Sequence, residues 1–367
     1  MKHLQSFSLF EAQETSDLTQ KQKTFLTRYT QGTWSVNRQT GLVDVEGNFD
    51  CSYSRLKSLS GISFGHVSGN FSCAGNQLTT LAGAPQKVNG SFGCYRNQLT
   101  SLAGAPQTVD GHFYCGGNQL TTLVGAPQTV GGGFDCHNNH LTTLAGAPQT
   151  VGGGFNCAGN RLTTLVGAPQ TVGISFWCHQ NQLTSLVGAP QKVGGDFICY
   201  NNRLTSLVGA PQKVNGHFSC SYNQLTSLVG APQTVDGVFD CSGNQLTTLA
   251  GAPQTVDGDF SCDSFKLRSG KWNPQGWAEI LATGDKKARS LIVTLPLFDV
   301  GFWLQKLKGD LKKDGQVLLQ LADLWDVPGW EEQRQEIEQR LSPEQLRVIK
   351  ALKTKLVYVD PWKDGIV

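Results

Sequence analysis

Apolar and polar residues alternate at Val109, Gly111, Phe113 and Cys115 against Asp110, His112 and Tyr114. A period of two is the signature of a strand with one buried face. The alternation returns every 21 residues, marked by ten cysteines from Cys73 through Cys94, Cys115 and Cys136 to Cys262. The unit reads VxGxFxCxxNxLTxLxGAPQ, as at residues 109–128. A repeat this short cannot bury its own apolar face, so the pattern predicts a solenoid of about eleven coils whose faces stack on one another. Valine, phenylalanine and cysteine form the predicted inward row, with equivalent residues about 4.8 Å apart in neighbouring strands. Cysteine fits there as a small hydrophobe. Gly111 allows close backbone approach or a bulge.

After the strand, Asn118 recurs at Asn76, Asn97, Asn139, Asn160, Asn181, Asn202, Asn223 and Asn244. Its amide both donates and accepts, so the column is expected to bond turn backbone in adjacent coils. Leu120 and Leu123 supply the next inward contacts, and Gly125, Ala126 and Pro127 close the coil with turn or extended chain and little helix. A threonine column, Thr79, Thr100 and Thr121 onward to Thr247, fits ladder hydrogen bonding, ordered water or self-association.

Phe113, Cys115, Asn118 and Leu120 occupy the last four fixed positions of LxxLxLxxNxL, and the repeat thereby resembles the leucine-rich repeat. Val109 departs from it, standing four residues before Phe113 where the family places a leucine three before, which implies a longer or bulged strand entry. The short, proline-bearing units are similar to a bacterial subclass found in secreted effectors, and more so to repeat proteins of bacteriophages and environmental bacteria. The resemblance implies an α/β repeat fold, a right-handed-coiled leucine-rich repeat solenoid with a parallel β-sheet on one face.

The ends break the pattern. Ser54 stands where asparagine belongs, one extra residue separates Cys51 from Cys73, and Phe265 takes the asparagine place after Cys262. Such degeneracy marks caps. Residues 16–29 have helix character with Ser16 as a candidate cap, and residues 34–45 are strand-like. Beyond Phe265 charge density rises, and residues 273–358 read as several helices, including a capping box at Ser342-Pro343-Glu344-Gln345. Trp272, Trp277, Trp303, Trp325, Trp330 and Trp362 are candidates for the core of this small all-α domain and for its contact with the last coil. The expected organisation is a cap over 1–44, a solenoid over 45–267 and a helical domain over 268–367.

Composition then narrows the chemistry. The 367 residues carry a formal net charge of +2, and charges between Val45 and Cys262 are sparse and mixed, so no phosphate-neutralising patch for nucleic acid is expected. There is no membrane-length apolar run and no convincing secretory leader, and the eleven cysteines form one column instead of a disulfide framework, which argues for a reducing cytoplasm. Neither GxSxG, a P-loop nor HExxH occurs. Cys262-Asp263 lacks the spacing of the ligase motif that follows similar repeats in effectors. Cys136-His137 and Cys178-His179 place neighbours on opposite strand faces, so no metal or other cofactor is expected.

Function is sought in the columns that vary. The inward positions hardly change, whereas those flanking Phe and following Cys differ from coil to coil: Tyr95, Arg96, His112, Tyr114, Asp135, His137, Trp177, His179, Asp196, Ile198, Tyr200 and His217. Aromatic groups and histidines with little lysine suit an interface. The expected role is non-catalytic binding of a protein or peptide partner, with solvent-facing drift as the competing explanation and a structural or assembly component, of a virus particle or homo-oligomer, as the alternative function.

Overall fold

The computed structural model describes residues 18–59, 61–270, 272, 287–288 and 331–354. The chain divides into two compact units, Met1–Leu162 with Val166–Ile174, and Thr163–Leu165 with Ser175–Val367.

The first unit opens with helix α1, Gln20–Tyr29. Its N-cap is Thr19, whose side chain accepts from the Gln22 amide while Gln22 bonds back to Thr19, a reciprocal capping box. The helix thus starts later than the Ser16 expectation, and Ser16 lies outside the described residues. Strands β1 (Thr30–Val36) and β2 (Val43–Asp50) follow as an antiparallel pair, and β2 then pairs in parallel with the strands of the next coil. Phe25 and Tyr29 of α1 pack on Phe49, so the helix covers the open end of the phenylalanine column.

Each following coil carries two short strands where the alternation predicts one. In the coil of Cys115 these are Thr108–Val109 and Phe113–Tyr114. The break falls at Gly111, and Ile174 holds the same place in a coil divided likewise. A Cβ at Gly111 would collide with the Gly90 backbone, to which the Gly111 amide bonds at 3.0 Å. Both strands build parallel ladders in the first unit, Val88–Val109–Val130 and Phe92–Phe113–Phe134–Phe155 in register. The second unit repeats this, with Phe176–Phe197–Phe218–Phe239–Phe260 and Val214–Val235–Val256.

The core is the row predicted. Phenylalanines are fully buried, and in the first unit the rings of Phe92, Phe113, Phe134 and Phe155 stack at 5.2–5.5 Å. Burying each such side chain is worth about 1.5–3 kcal/mol. The asparagine column also behaves as its chemistry requires. Asn118 Nδ2 donates to the carbonyls of Cys94 (3.1 Å) and Cys115 (3.0 Å), and its Oδ1 accepts from the Leu99 amide (3.0 Å). Aspartate has no donor for the carbonyls and leucine neither donor nor acceptor. Each coil closes at a turn such as Leu81–Ala84, where the Ala84 amide reaches Leu81 oxygen at 2.9 Å and Gly83 takes φ 87°. No helix occurs between Cys51 and Gly270 among the described residues.

The second unit ends its phenylalanine ladder with a hairpin. Strand Phe260–Cys262 pairs antiparallel with Phe265–Leu267, so the residue in the asparagine place reverses the chain instead of starting a coil. Trp272 then stacks on Phe260 at 3.8 Å and donates its indole N–H to Pro253 oxygen, the expected contact with the last coil. Further on, helices Glu331–Arg340 and Pro343–Thr354 are present, the second capped by Ser342 and Gln345 as their spacing predicts. The other predicted helices and tryptophans lie outside the described residues.

The eleven cysteines are free and buried. Burial pushes the Cys51 thiol up to about 12 and drives those of Cys94, Cys157 and Cys199 higher still. Only the thiolate attacks an electrophile. The native protein at mildly alkaline pH is therefore expected to resist iodoacetamide at its mid-coil cysteines and to take up label throughout the column once unfolded. Intact-mass spectrometry counts the adducts, and rapid native labelling at Cys115 or Cys199 contradicts the packing.

Candidate recognition surface

Side chains flanking the buried phenylalanine and cysteine emerge on one side of the phenylalanine ladder. They fall into three groups by what holds them.

The residue before each phenylalanine lies in the break, where the amide has lost its strand partner. Where the preceding coil carries a polar side chain at this place, that side chain supplies the acceptor. In the first unit Asn48 accepts from the Asn70 amide, Asn70 from Ser91, Ser91 from His112, and His112 Nδ1 from Gly133, at 2.7–3.1 Å. In the second, Ser175 accepts from the Asp196 amide, Asp196 from His217, and His217 Nδ1 from Val238, at 2.8–3.0 Å. His112, Asp196 and His217 thus serve the frame, as acceptors for amides 21 residues further along the chain.

The residue after each phenylalanine forms the second group where it is acidic or an amide. Asp135 Oδ1 accepts from the His137 amide at 3.0 Å and also meets His137 Nδ1 at 2.6 Å. The Asp135 carboxylate holds the His137 imidazole above its usual value, while burial and the positive charge of Arg96 oppose the shift. A raised folded value means that the pair's contribution to stability is fully present below the unfolded value of about 6.5 and is lost as pH rises through the folded value. Histidine NMR titration is expected to place His137 above the unfolded value and to return it downward in Asp135→Asn; an unmoved midpoint contradicts the contact.

The third group is mostly aromatic or basic and gathers in clusters. In the first unit Tyr95, Arg96 and Tyr114 lie together: Tyr95 and Tyr114 meet edge to face at 6.5 Å, and the His112 ring stacks on Tyr114 at 5.5 Å. Tyr53 joins them through a hydrogen bond to Tyr95, which raises the Tyr95 phenol. In the second unit His179 stacks on Tyr200 at 4.4 Å, and Trp177 and Ile198 occupy paired positions on adjacent strands, each half-buried.

Two members were not singled out from the sequence, Tyr53 and Tyr222, which are 61% and 64% exposed. Both stand two residues after a coil cysteine, a position where the backbone is left-handed throughout. Gly75, Gly117, Gly159 and Gly243 fill it at φ 63–69°, but so do Tyr53, Arg96, Asn138, Gln180, Asn201 and Tyr222 at φ 51–55°. For a residue with a Cβ that conformation costs about 1–2 kcal/mol. Glycine filling the same place in other coils is the signal that reveals them. The neighbouring coils make room: a Cβ at Gly75 strikes the Tyr53 ring, one at Gly116 the His137 imidazole and one at Gly243 the Tyr222 ring.

Parallel rungs of 21 residues, inward phenylalanine, cysteine and leucine, and a bridging asparagine column define the coils of both units. Their fold is a leucine-rich repeat solenoid. No protein-family model matches the chain, and no curated protein does. Among solved structures it is similar to YopM from Yersinia enterocolitica WA-314, at 20% identity and TM-score 0.38, over 57% of this chain and 47% of that one. The match thus spans about half of that protein's length, and a likeness so distant carries no functional consequence. Among the described residues no cluster of histidine, cysteine or acidic groups could hold a metal ion, and no helix is long and apolar enough to cross a membrane.

Proposed function

We propose that this chain is a non-catalytic recognition scaffold of the cytoplasm, taking a protein or peptide on the outward side chains of its phenylalanine ladders. The observation that carries the reading is the occupancy of the left-handed position. Tyr53 and Tyr222 stand where glycine, asparagine, glutamine or arginine serves other coils, and the two tyrosines gain little burial there. Residues kept in an unfavourable conformation without a packing return mark function. Rigid aromatic groups are also the usual anchors of interfaces. The helical region over 268–367 supplies a second contact or an assembly role in this reading.

Copurification from the native cell tests it. Wild-type bait is expected to retain a stoichiometric partner that Tyr95→Ala with Trp177→Ala releases, while the circular dichroism of the fold stays that of wild type. A partner retained equally by both baits removes the assignment.

A second reading, self-assembly, is favoured by another column. In the second unit Val187, Val208 and Val229 are each about half exposed, at 49, 50 and 52%, on the outer bend. Light scattering decides between the two: a concentration-dependent oligomer abolished by Val208→Lys supports assembly, and a strict monomer opposes it.

A further inference from the structure

The first unit's surface restricts what form a bound peptide can take, if the recognition reading above holds. Beneath Tyr95 and Tyr114 the backbone is already paired. The Cys94 amide reaches Tyr114 oxygen and the Cys115 amide reaches Asp135 oxygen, each at 2.8 Å, while the Gly93 oxygen accepts from Cys73. A ligand therefore cannot add as another strand, which requires a free sheet edge. An amphipathic helix requires an apolar groove, yet the outward positions around Tyr95 and Tyr114 carry phenols, imidazoles, a guanidinium and glycines; the unit's exposed aliphatic side chains, Val124, Val166 and Ile174, stand elsewhere in their coils.

What remains is a chain whose backbone stays solvated and whose side chains are rigid rings, namely polyproline II. It has no internal hydrogen bonds, so its carbonyls are open to phenol donors, and it is the form that aromatic-lined surfaces bind. The spacing of the coils agrees. At the two positions after each cysteine, bulky and small pairs alternate here: Tyr53, then Ala74-Gly75, then Tyr95-Arg96, then Gly116-Gly117, then His137-Asn138, while Tyr114, before the cysteine of the Gly116-Gly117 coil, lies beside Tyr95. Bulky attachment points thus recur every second coil, about 9.6 Å at strand spacing. Three residues of polyproline II advance about 9.3 Å. Seven residues of α-helix advance about 10.5 Å and two residues of strand about 6.7 Å, so both lose register sooner.

Charge supplies the remaining constraint. Asp135 is engaged by His137, whereas Arg96 is exposed and has no carboxylate at ion-pair distance among the described residues. We infer that the Tyr53–Tyr95–Tyr114 surface binds a proline-rich segment in the polyproline II form, lying across successive coils, with an acidic residue of that segment set against Arg96.

Fluorescence anisotropy on the full chain tests this, with a labelled oligoproline of about nine residues carrying one central glutamate, a length of three polyproline turns. Saturable binding is expected with Kd below about 1 mM. It should weaken about tenfold or more in Tyr95→Ala and in Tyr114→Ala, as for an aromatic anchor. Arg96→Glu, or lysine for the peptide glutamate, should weaken it about threefold or more, and the two changes made together should recover part of the loss. Tyr222→Ala, in the other unit, should leave it unchanged. Non-saturable binding, equal binding of a glycine-serine peptide, or indifference to Tyr95→Ala and Arg96→Glu in variants with wild-type circular dichroism overturns the inference. A native partner that depends on Tyr95 but docks through a helix or strand also overturns it, while leaving the recognition reading intact. A partner indifferent to both Tyr95 and Trp177 removes the recognition reading and this inference together.

Discussion

Phe134→Ala is expected to lower the unfolding free energy by about 3–5 kcal/mol, the upper range for a buried aromatic truncated in a close-packed core. Phe134 is fully buried and stacks on Phe113 at 5.2 Å and on Phe155 at 5.5 Å. Its loss opens a gap between two rings held apart by paired backbone on either side, so the coil cannot collapse to fill it. In a stack where each coil touches its neighbours alone, a weak rung also divides the cooperative unit. Urea unfolding should therefore show a lower midpoint and a broadened or two-step transition. A single transition displaced by less than about 1 kcal/mol, the scale of a surface substitution, contradicts the stacked-ring core.

Asn118→Leu is expected to be nearly as damaging although it adds apolar volume. The buried Leu99 amide loses its partner, and the carbonyls of Cys94 and Cys115 each lose one of two donors, keeping Asn97 and Asn139. Leaving the Leu99 amide unsatisfied costs about 1–3 kcal/mol, and the two lost bonds to carbonyls that keep a second donor add about 0.5–1.5 kcal/mol each, about 2–6 kcal/mol in all. Asn118→Asp separates the two halves of the contact, retaining the acceptor for Leu99 and losing the donors. It should be destabilised at neutral pH and partly recover on acidification, when the protonated acid again donates once. Equal midpoints for all three proteins contradict the bridging role.

The repeat period and the inward columns were legible because every coil imposes the same packing demand on them. The asparagine contacts followed from donor and acceptor counts alone. The division of one expected strand into two was not legible, since it occurs at Gly111 and equally at Ile174 in the same place. The start of α1 moved from Ser16 to Thr19, whose reciprocal bond with Gln22 is the stronger cap. Among the variable columns, sequence does not separate display from frame. His112, Asp196 and His217 look like interface residues, yet their bonds go to amides a full coil away. The signal was present in their column, where Asn70, Ser91 and Ser175 are acceptors too. Tyr53 and Tyr222 were hidden because left-handed backbone is visible in a sequence only where glycine marks it in other coils.

Site-specific photo-crosslinking in the native cell tests the central claim most directly, with the probe at Tyr114 or Ile198 on the phenylalanine ladders and at Thr121 or Thr226 on the outer bend. The account predicts a discrete protein adduct from the ladder positions and none from the bend. Adducts from the bend with none from Tyr114 or Ile198 would contradict it.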